Sequence, residues 1–432
     1  MNNNEVKKEL DKISPTICLC KWLWVTMHMG MNSNHSCFHP HIHEWDLDEC
    51  LKDPNSLHNT KHKKQQRKLM LEGKRPDECE YCWNIEDLNE DVFSERILTS
   101  GSYWALPYLE KIKNMNWDDN IYPSYLEISF SNVCNCACSY CSPGQSSKWE
   151  TDIKKYGSYP VKDPTVQKEN LHPQLKEEDN PFVKIFWEWF PEAYHNLKVL
   201  RVTGGEPLLT DSFFKMVDYI EDNSNPELVL AINTNLAYSE EVLEKFITAS
   251  KKILESKKIK RINLFTSMDT WGPQAEYIRY GLNIKRFEKN LLRLIEEDLF
   301  GINFMVTFGA LSIFNYKRLL EKTVEWKQKT NKYIEVDPAL LINPTHFDVK
   351  ILSSRYKEYF DEVNDYMKEL RDKNIYTEFE FNSWLVVYNY YLEHCEKAYI
   401  GELIDFVNFF AEYDKRRGLN FHNTFPEFLG EN

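Results

Sequence analysis

The strongest chemical signal in this sequence is a group of three closely spaced cysteines, Cys134, Cys138 and Cys141, with the spacing C-x3-C-x2-C. They directly follow Tyr125–Phe130, whose branched and aromatic residues predict a β-strand. Three thiolates on one tight loop can ligate three irons of a [4Fe–4S] cluster and leave the fourth iron open to a small molecule. A loop at the carboxyl end of a strand is also where α/β folds place their active sites.

A structural zinc ion is the alternative use of these cysteines. Structural zinc is usually tetrahedral and needs a fourth protein ligand, commonly from a second Cys-x2-Cys pair. Cys79 and Cys82 form such a pair. Spacing alone therefore leaves both interpretations open.

A second motif favours the open cluster. The next predicted strand, Leu197–Val202, is followed by Thr203-Gly204-Gly205-Glu206-Pro207. The two glycines let the backbone approach a ligand closely, and the carboxylate of Glu206 can accept a hydrogen bond from a cationic amine. One strand after the cysteine loop, this motif indicates a small-molecule site beside the cluster.

Together the two motifs resemble those of the radical S-adenosylmethionine (SAM) superfamily, in which a cysteine triad follows the first barrel strand and a GGE-type motif follows the second. The resemblance implies a [4Fe–4S] cluster on Cys134, Cys138 and Cys141 whose open iron binds the amino and carboxylate groups of SAM. It also implies that the reduced cluster cleaves SAM to methionine and a 5′-deoxyadenosyl radical, which takes a hydrogen atom from the substrate.

The same resemblance implies which residues bind SAM. One group would lie near the adenine and the methionyl amine: Tyr140, Gly204, Gly205 and Glu206. The polar turn that reaches the ribose would be Asn233 and Asn235, although Leu236 stands where many members have glycine. A third group resembles the family's Ser-x-Asp element and the arginine that pairs with the methionyl carboxylate: Ser267, Asp269 and Arg279. The alternative for this third group is a helix cap and a surface ion pair.

The N-terminal region carries a further set of cysteines, Cys18, Cys20, Cys37, Cys79 and Cys82. A Cys-x2-Cys pair on a turn presents two sulfur atoms to one ion or cluster, and distant residues complete such sites. The arrangement resembles an N-terminal twitch domain, a reduced form of the auxiliary-cluster domain of many radical SAM enzymes. Segments 74–83, 414–418 and 425–427 are similar to that group as well, so the resemblance covers nearly the whole chain.

The twitch resemblance implies a second [4Fe–4S] cluster with the ligands Cys18, Cys37, Cys79 and Cys82. Cys18 is preferred over Cys20, the reserve ligand, because its spacing to Trp22 fits that group better. A Cys-Cys pair is usual near position 37, whereas Phe38 follows Cys37 here. The alternative is a zinc site that uses nearby histidines, among them His35, His39, His41 and His43.

Alternating strands and helices must position these motifs. Six short segments rich in branched or aromatic residues predict strands: Tyr125–Phe130, Leu197–Val202, Leu228–Ile232, Arg261–Thr266, Ile302–Phe308 and Tyr333–Asp337. Helical patterns between them cover 211–223, 240–256, 274–297 and 316–330. Six β/α units predict an α/β fold with a partial (β/α)6 TIM-like barrel, although a flat doubly wound sheet would give almost the same pattern.

This organisation predicts four parts. Residues 1–100 form a small cysteine-rich, twitch-like domain for the auxiliary iron–sulfur cluster, and residues 101–123 form a linker. Residues 124–345 form the radical SAM partial barrel. Residues 346–432, which are rich in tyrosine and phenylalanine, form a helical C-terminal region.

Composition limits the partners and the location. Of the 432 residues, 42% are hydrophobic and 14% are aromatic, which is enough for a large core. The formal net charge of −14 disfavours a broad nucleic-acid groove or an anionic membrane surface. The sequence lacks an apolar run long enough to span a bilayer and lacks an apolar signal-peptide core, so we expect a cytoplasmic protein.

We therefore expect a radical SAM enzyme, of oxidoreductase or transferase type, that acts on a peptide, protein or carbohydrate-like substrate. A small reductant such as flavodoxin or ferredoxin is the expected electron donor. One alternative is an RNA-modifying radical SAM enzyme, which the charge of −14 disfavours. The other is a non-catalytic zinc or iron–sulfur scaffold, against which the intact Glu206 and Arg279 argue.

Overall fold

The structure is a computed structural model that describes residues 1–88, 92–172, 174–330 and 333–428. A sheet of nine strands, seven of them parallel, forms its centre. Its strands are β1 (Trp24–His28), β2 (Ser33–His35), β3 (His43–Glu44), β4 (Tyr125–Ser129), β6 (Val199–Thr203), β7 (Val229–Thr234), β8 (Arg261–Ser267), β10 (Phe300–Phe308) and β11 (Ile334–Leu340), and a separate two-stranded ribbon pairs β5 (Ala137–Cys138) with β9 (Arg279–Tyr280). The sheet order is β11-β10-β8-β7-β6-β4-β1-β2-β3, and the two ends of this order do not pair within the described ranges. All six predicted strands are present, and the predicted α/β fold with an open, barrel-like parallel sheet is confirmed.

Side-chain alternation along the strands separates the core from the site. In β4, Leu126 and Ile128 are fully buried in the hydrophobic core, whereas Glu127 and Ser129 line a polar cavity. This follows from the two-residue period of a strand, which sends successive side chains to opposite faces. One face of the parallel strands therefore packs into the core, and the other lines the polar cavity.

Helices cover the apolar face of the sheet. Those of the barrel region are α8 (Ser147–Tyr156), α9 (Pro181–Tyr194), α10 (Asp211–Asp222), α11 (Glu240–Glu255), α12 (Pro273–Ile278), α13 (Ile284–Glu297) and α14 (Tyr316–Thr330). In α10 the buried residues Phe213, Met216, Val217 and Ile220 have the i, i+3, i+4, i+7 spacing of an amphipathic helix. The hydroxyl of Thr210 caps this helix by accepting a hydrogen bond from the Phe213 N–H.

The continuous helix predicted over 274–297 is wrong, because it breaks between α12 and α13. Arg279 and Tyr280 leave the helix and pair, in antiparallel register, with Cys138 and Ala137. Gly281 follows with a φ of 102°, a conformation that side-chain-bearing residues rarely adopt. The break places Arg279 beside the cysteine loop, which a continuous helix would not do.

The N-terminal region contains α1 (Asn3–Asp11), α2 (Cys20–Leu23), α3 (Leu47–Lys52), α4 (Lys61–Leu71), α5 (Glu80–Leu88), α6 (Glu95–Ser100) and α7 (Leu109–Lys113). Its strand β1 runs parallel to β4, and His28 is the register partner of Ser129. The central sheet therefore begins before residue 124. The boundaries of the four parts stay a prediction.

The C-terminal region is helical, as predicted, with α15 (Lys357–Asp372), α16 (Glu378–His394), α17 (Ile400–Arg417) and α18 (Phe421–Thr424); residues 429–432 lie outside the described residues. The hydroxyl of Tyr413 in α17 donates to the carbonyls of Ala137 and Tyr277, at 3.3 and 3.1 Å. The end of α17 thus contacts the ribbon that carries Cys138. None of the described helices combines the length and the hydropathy that a bilayer crossing requires.

Replacement of the buried His346 tests whether this residue makes the stability of the protein depend on pH. Burial lowers the pKa of His346 to about 4, from 6.5 when the group is exposed, and its ring packs 4.2 and 5.3 Å from those of Phe347 and Phe409. The unfolded chain therefore binds a proton at this residue before the folded chain does, so stability falls as pH drops below about 6.5. Between pH 7 and pH 5 the wild type should lose about 2 kcal/mol more stability than His346→Phe. Urea unfolding of the iron-free protein measures this difference, and parallel pH profiles would contradict it.

Candidate functional site

A cavity of about 320 Å³ opens at the carboxyl ends of the parallel strands. This is the edge of the sheet at which α/β folds bind ligands. Ten of the residues predicted for the cluster and its cofactor line this one cavity: Cys134, Cys138, Tyr140, Cys141, Gly204, Gly205, Asn233, Asn235, Ser267 and Arg279. The structure thus brings together side chains from five separate segments of the chain.

Backbone hydrogen bonds hold the cysteine loop in shape. The N–H of Cys141 donates to the carbonyl of Cys138 at 2.9 Å and closes a tight turn between two of the three cysteines. Two side chains at the start of α8 hold the loop from behind: the hydroxyl of Ser146 donates to the carbonyl of Cys136 at 2.7 Å, and the indole of Trp149 donates to the carbonyl of Cys138 at 2.7 Å. The loop's shape therefore depends on α8.

Two of the three sulfur atoms of the triad accept hydrogen bonds, which would stabilise a thiolate. The backbone N–H of Cys136 donates to the sulfur of Cys134 at 3.4 Å, and Nη1 of Arg279 donates to the sulfur of Cys138 at 3.6 Å. Burial nevertheless raises the pKa of Cys134 to about 12, so it is protonated at neutral pH unless a metal replaces the proton. Three soft donors beside a cation fit an iron–sulfur cluster with one open iron.

The glycine pair after β6 is required by the cysteine loop itself. A Cβ atom on Gly205 would lie 2.2 Å from the carbonyl oxygen of Val133, which is closer than any real contact. The N–H of Glu206 donates to that same carbonyl at 2.7 Å. The close backbone approach that the motif predicted is therefore observed between two parts of the protein, with the glycines also facing the cavity.

Glu206 is fully buried and lies outside the set of residues that line the cavity. Its carboxylate accepts hydrogen bonds from the N–H of Asn235 at 2.7 Å and from the hydroxyl of Thr234 at 2.8 Å. Burial raises its pKa to about 7, against which these donors act. Glu206 thus ties the end of β6 to the turn after β7, and contact with the methionyl amine stays a prediction.

The turn after β7 keeps a glycine-like shape although Leu236 occupies it. Leu236 has a φ of 51° and is buried, and the side-chain oxygen of Asn235 accepts a hydrogen bond from Ala237 N–H at 2.8 Å. The amide nitrogen of Asn235 donates to the side-chain oxygen of Asn135 in the cysteine loop at 2.8 Å. The departure from the family pattern therefore leaves the turn able to face the cavity.

Asp269 and Arg279 form a buried ion pair, so the alternative of a surface ion pair is wrong. Their side chains are 1% and 6% exposed, and two N–O contacts of 2.8 Å join them. Asp269 also accepts hydrogen bonds from the hydroxyl of Tyr140 at 2.8 Å and from the N–H of Thr307 at 3.0 Å. Burial alone would lower the pKa of Arg279, but Asp269 raises it well above the usual value. Asp269 therefore fixes two side chains that line the cavity without lining it itself.

The sequence interpretation missed the part of the cavity built by β1, the turn that follows it and β4, which comprises His28, Met31, Glu127 and Ser129. His28 ends the segment Trp-Val-Thr-Met-His, whose branched and aromatic residues resemble those of the predicted strands. Because cysteines flank this segment, the sequence analysis placed it in the cysteine-rich domain and not in the sheet. A search for strands across 1–100 could have found it.

The hydrogen bonds of His28 define its tautomer. Its Nε2 lies 3.0 Å from Nε2 of His35, and Nδ1 of His35 contacts the carbonyl of Cys37, which can only accept. His35 therefore carries its proton on Nδ1, and His28 donates from Nε2. Burial, with a contribution from His35, lowers the pKa of His28 to about 4, so the ring is neutral near pH 7. This leaves Nδ1 of His28 as a hydrogen-bond acceptor.

The N-terminal cysteines converge on a second, much smaller cavity of about 20 Å³. It is lined by Cys18, Cys20, Cys37, Cys79 and Cys82 together with the cations Lys21 and Arg96. Lys21 is buried and pairs with Glu78, and Arg96 forms a hydrogen-bonded pair with Glu86 at 2.9 Å. Five thiols facing two buried cations fit an anionic cluster of thiolate ligands.

The pKa values of the Cys18 and Cys20 thiols are shifted in opposite directions. A hydrogen bond from the Cys20 thiol lowers the pKa of Cys18 to about 7, with Arg96 and Lys21 acting in the same direction against burial. The same contact, together with burial, raises the pKa of Cys20, whose sulfur lies 3.1 Å from the hydroxyl of Thr99. Cys18 is thus the more acidic thiol of the two.

The histidines proposed for the zinc alternative take up other contacts. His35 contacts the Cys37 carbonyl, His39 stacks on Tyr81 with a ring separation of 3.7 Å, and His43 lies 3.1 Å from the hydroxyl of Thr60. Within the described ranges, no three His, Cys, Asp or Glu side chains converge closely enough for a single metal ion. This finding covers cysteine as well as histidine side chains, and His39 also lines the small cavity beside the cysteines, so the zinc alternative stays open.

No model of a known protein family matches the chain. Curated relatives are named GTP 3′,8-cyclase: that of Sulfurimonas denitrificans is 28% identical over 215 residues, which is 49% of this chain and 55% of the relative. That of Campylobacter lari is 29% identical over 189 residues, 44% of this chain and 47% of the relative. That of Aliarcobacter butzleri is 32% identical over 156 residues, 35% and 36% of the two chains. The chain thus spans about half, or less, of the length of these relatives.

Two solved structures show a weak overall structural similarity to this chain. SuiB of Streptococcus suis bound to S-adenosylmethionine has a TM-score of 0.37 and 15% identity, over 68% of this chain and 60% of that one. Native anSMEcpe with bound AdoMet and the Cp18Cys peptide has a TM-score of 0.35 and 15% identity, over 58% and 61% of the two chains.

The substitution Gly281→Ala tests whether the break after α12 shapes the cysteine loop. At a φ of 102°, an added Cβ would lie 2.6 Å from the carbonyl oxygen of Asn135. Strain and overlap should lower the free energy of unfolding by at least about 2 kcal/mol and reduce the iron taken up by the loop. Urea unfolding and iron analysis after anaerobic reconstitution measure both effects.

Gly401→Ala is the matched control for this variant. Gly401 lies in α17, and an added Cβ there meets no atom within 4 Å. Alanine should be neutral or should stabilise the helix by up to about 1 kcal/mol. If both alanine variants behave alike, the contact between Gly281 and the loop does not shape the site.

Proposed function

We propose that this chain, a member of the radical S-adenosylmethionine superfamily, is an enzyme that reductively cleaves SAM and takes a hydrogen atom from its substrate. The observation that carries the proposal is the single cavity of about 320 Å³ at the strand ends. The cysteine triad and most of the residues with family roles in SAM binding line it. Cys134, Cys138 and Cys141 would hold a [4Fe–4S] cluster with one open iron.

When bound, the cluster supplies one electron to the sulfonium of SAM, and cleavage gives methionine and a 5′-deoxyadenosyl radical that abstracts hydrogen from the substrate. The chain's own residues bind and orient SAM. Arg279, fixed by Asp269, offers its remaining N–H groups to the methionyl carboxylate. Tyr140, held by the same carboxylate, gives its ring to the adenine. The side chains of Asn233 and Asn235 offer donors and acceptors to the ribose.

The substrate enters, in this proposal, through an open cleft of about 660 Å³ beside the cofactor cavity. The two share Tyr140 and Gln145 in their linings. The charged side chains of the cleft are Lys162, Asp163, Glu402 and Asp405, three of the four being acidic. Such a lining favours a neutral or cationic substrate, which supports a peptide, protein or carbohydrate-like molecule over RNA or a nucleoside triphosphate.

We also propose a second [4Fe–4S] cluster, on Cys18, Cys37, Cys79 and Cys82. Their convergence with Lys21 and Arg96 on one small cavity supports it, and Cys18 is preferred over Cys20 because its spacing to Trp22 resembles that of the family. A second cluster could accept an electron from the substrate radical, which would make the reaction a net oxidation. The enzyme would then be an oxidoreductase.

Reductive cleavage of SAM is the direct test of the main proposal. Anaerobically reconstituted protein, given SAM and dithionite, should form 5′-deoxyadenosine, which mass spectrometry quantifies. A variant with Cys134, Cys138 and Cys141 all replaced by alanine should form none, because no ligand set remains for the open cluster. A cluster-loaded wild type that forms no 5′-deoxyadenosine, with or without candidate peptides, would support the scaffold alternative.

The second cluster is best tested in that triple-alanine background, where it alone binds iron. Such protein should hold about four irons per chain after reconstitution. Adding Cys18→Ser should abolish this iron, whereas Cys20→Ser, the matched control, should retain most of it. Loss of iron in the Cys20 variant alone would reverse the ligand assignment, and colourless protein with bound zinc would overturn the cluster.

A further inference from the structure

An exposed apolar stripe runs along the C-terminal helix α17. Its residues are Ile400, Ile404, Val407 and Ala411, which have the i, i+4, i+7, i+11 spacing of one helix face. The first three side chains are 67%, 54% and 58% exposed. The opposite face of α17 is buried in the hydrophobic core. A second apolar face with this spacing is typical of a helix that packs against another helix.

The stripe lies beside the proposed substrate cleft. Gly401, Glu402 and Asp405, which belong to the same turns of α17, line that cleft. At 100° per residue, Gly401 lies between the stripe and the two carboxylates on the helix surface. An added Cβ on Gly401 would meet no atom within 4 Å, so this rim is open. A molecule packed along the stripe would therefore also reach the cleft, which extends to Tyr140 at the cofactor cavity.

Two carboxylates of the cleft form no ion pair with a described residue. Asp405 accepts a hydrogen bond from the backbone N–H of Lys162 at 3.4 Å, and one oxygen of Asp163 accepts from the backbone N–H two residues further on at 2.9 Å. The other oxygen of Asp163 is buried and has no partner in the described part of the chain. Glu402, in contrast, pairs with Lys350 at 3.3 Å. Asp163 and Asp405 are thus the carboxylates left for a ligand.

A buried histidine lies beside these two carboxylates. His346 lines the same cleft and is 2% exposed, and its Nε2 has no hydrogen-bond partner within the described ranges. Burial lowers the pKa of His346 to about 4, although Asp163 and Asp405 act in the opposite direction. The ring is therefore neutral near pH 7 and supplies no positive charge. An ammonium or guanidinium group of a bound molecule would supply the donors that the carboxylates lack.

We propose that the stripe and the cleft together bind a polypeptide substrate: an amphipathic helix of the substrate packs along the stripe, and a neighbouring lysine or arginine is held by Asp163 and Asp405. The proposal rests on the proposed function and narrows its substrate class to polypeptides. A carbohydrate offers no row of apolar side chains. An anionic membrane and a second copy of this chain both carry the charge that a protein of net charge −14 repels.

Fluorescence anisotropy with defined peptides tests this surface. The probe is a labelled helical peptide of about 18 residues, with leucine along one face and lysine and glutamine on the other. One comparison peptide has glutamine in place of every lysine, and another has the same composition in scrambled order. The wild type should bind the leucine–lysine helix more tightly than either comparison peptide, because only this probe offers both the apolar face and the cations.

The double variant Ile400→Ser with Ile404→Ser tests the stripe. It should bind the leucine–lysine peptide at least about tenfold more weakly than wild type, because two apolar contacts are lost. Leu47→Ser with Leu51→Ser is the matched control, an i, i+4 pair of exposed leucines in α3, and should bind like wild type. Ile400→Val with Ile404→Val keeps an apolar surface and should retain most of the affinity.

The double variant Asp163→Asn with Asp405→Asn tests the carboxylates. Asparagine can still accept the backbone hydrogen bonds but carries no charge. Binding of the leucine–lysine peptide should weaken at least about tenfold, whereas binding of the glutamine peptide should not change. Asp11→Asn with Asp48→Asn, at exposed positions of the N-terminal region, has the same change in net charge and should bind both peptides like wild type.

Two separate measurements on the same reconstituted protein distinguish this proposal from the proposed function. Formation of 5′-deoxyadenosine by wild type with SAM and dithionite decides the proposed function, whereas peptide binding needs no turnover and decides the docking. Equal weakening in a control, unchanged binding in either test variant, or equal binding of all three peptides would overturn the docking. So would a wild-type dimer, seen by light scattering, that Ile400→Ser with Ile404→Ser converts to monomers, because a second copy would then cover the stripe.

Discussion

The hydrogen bonds and contacts that hold the backbone of the cysteine loop are the constraint on which the rest of this structure depends. The loop has almost no regular structure of its own, yet three sulfur atoms must be held in one arrangement. Ser146 and Trp149 fix it from α8, Gly205 packs on Val133, and Asn235 bonds to Asn135. Each such bond contributes about 1 kcal/mol net, so the shape comes from their number. The supports arrive from three different β/α units, which explains why the motifs recur at successive strand ends.

Charge compensation is the second requirement, because thiolates and their cluster are anionic and lie in a largely buried place. The structure meets it with cations that are themselves paired. Arg279 reaches Cys138 while Asp269 holds its other face, and Lys21 beside the N-terminal cysteines is paired with Glu78. A buried charge without a partner would be costly, whereas a buried pair can keep one face for a ligand. The ion pairs therefore hold the cations in place before a cluster or cofactor arrives.

The sequence could predict what depends on local pattern. Six strands follow from short runs of branched and aromatic residues, and the cysteine triad follows from its spacing alone. The sequence could not predict contacts that depend on tertiary structure. Glu206 looks like a ligand for an amine in the sequence, but its carboxylate bonds to Asn235 and Thr234 across a neighbouring strand. Arg279 lies in a run with helical periodicity, and only the pairing with Cys138 and the φ of Gly281 show why the helix breaks there.

The placement of β1 has the widest consequence for how the two cysteine sites relate. Because β1 runs parallel to β4, the register sets His28 beside Ser129 at the rim of the cofactor cavity. The chain then turns into β2, where His35 contacts His28 at 3.0 Å and the carbonyl of Cys37 with its other nitrogen. Cys37 lines the second cysteine cavity. One hairpin thus joins the two sites through two neutral imidazoles and one peptide carbonyl. The N-terminal region contributes His28 and Met31 to the wall of the cavity, so deleting this region would remove that part of the wall together with the cysteines.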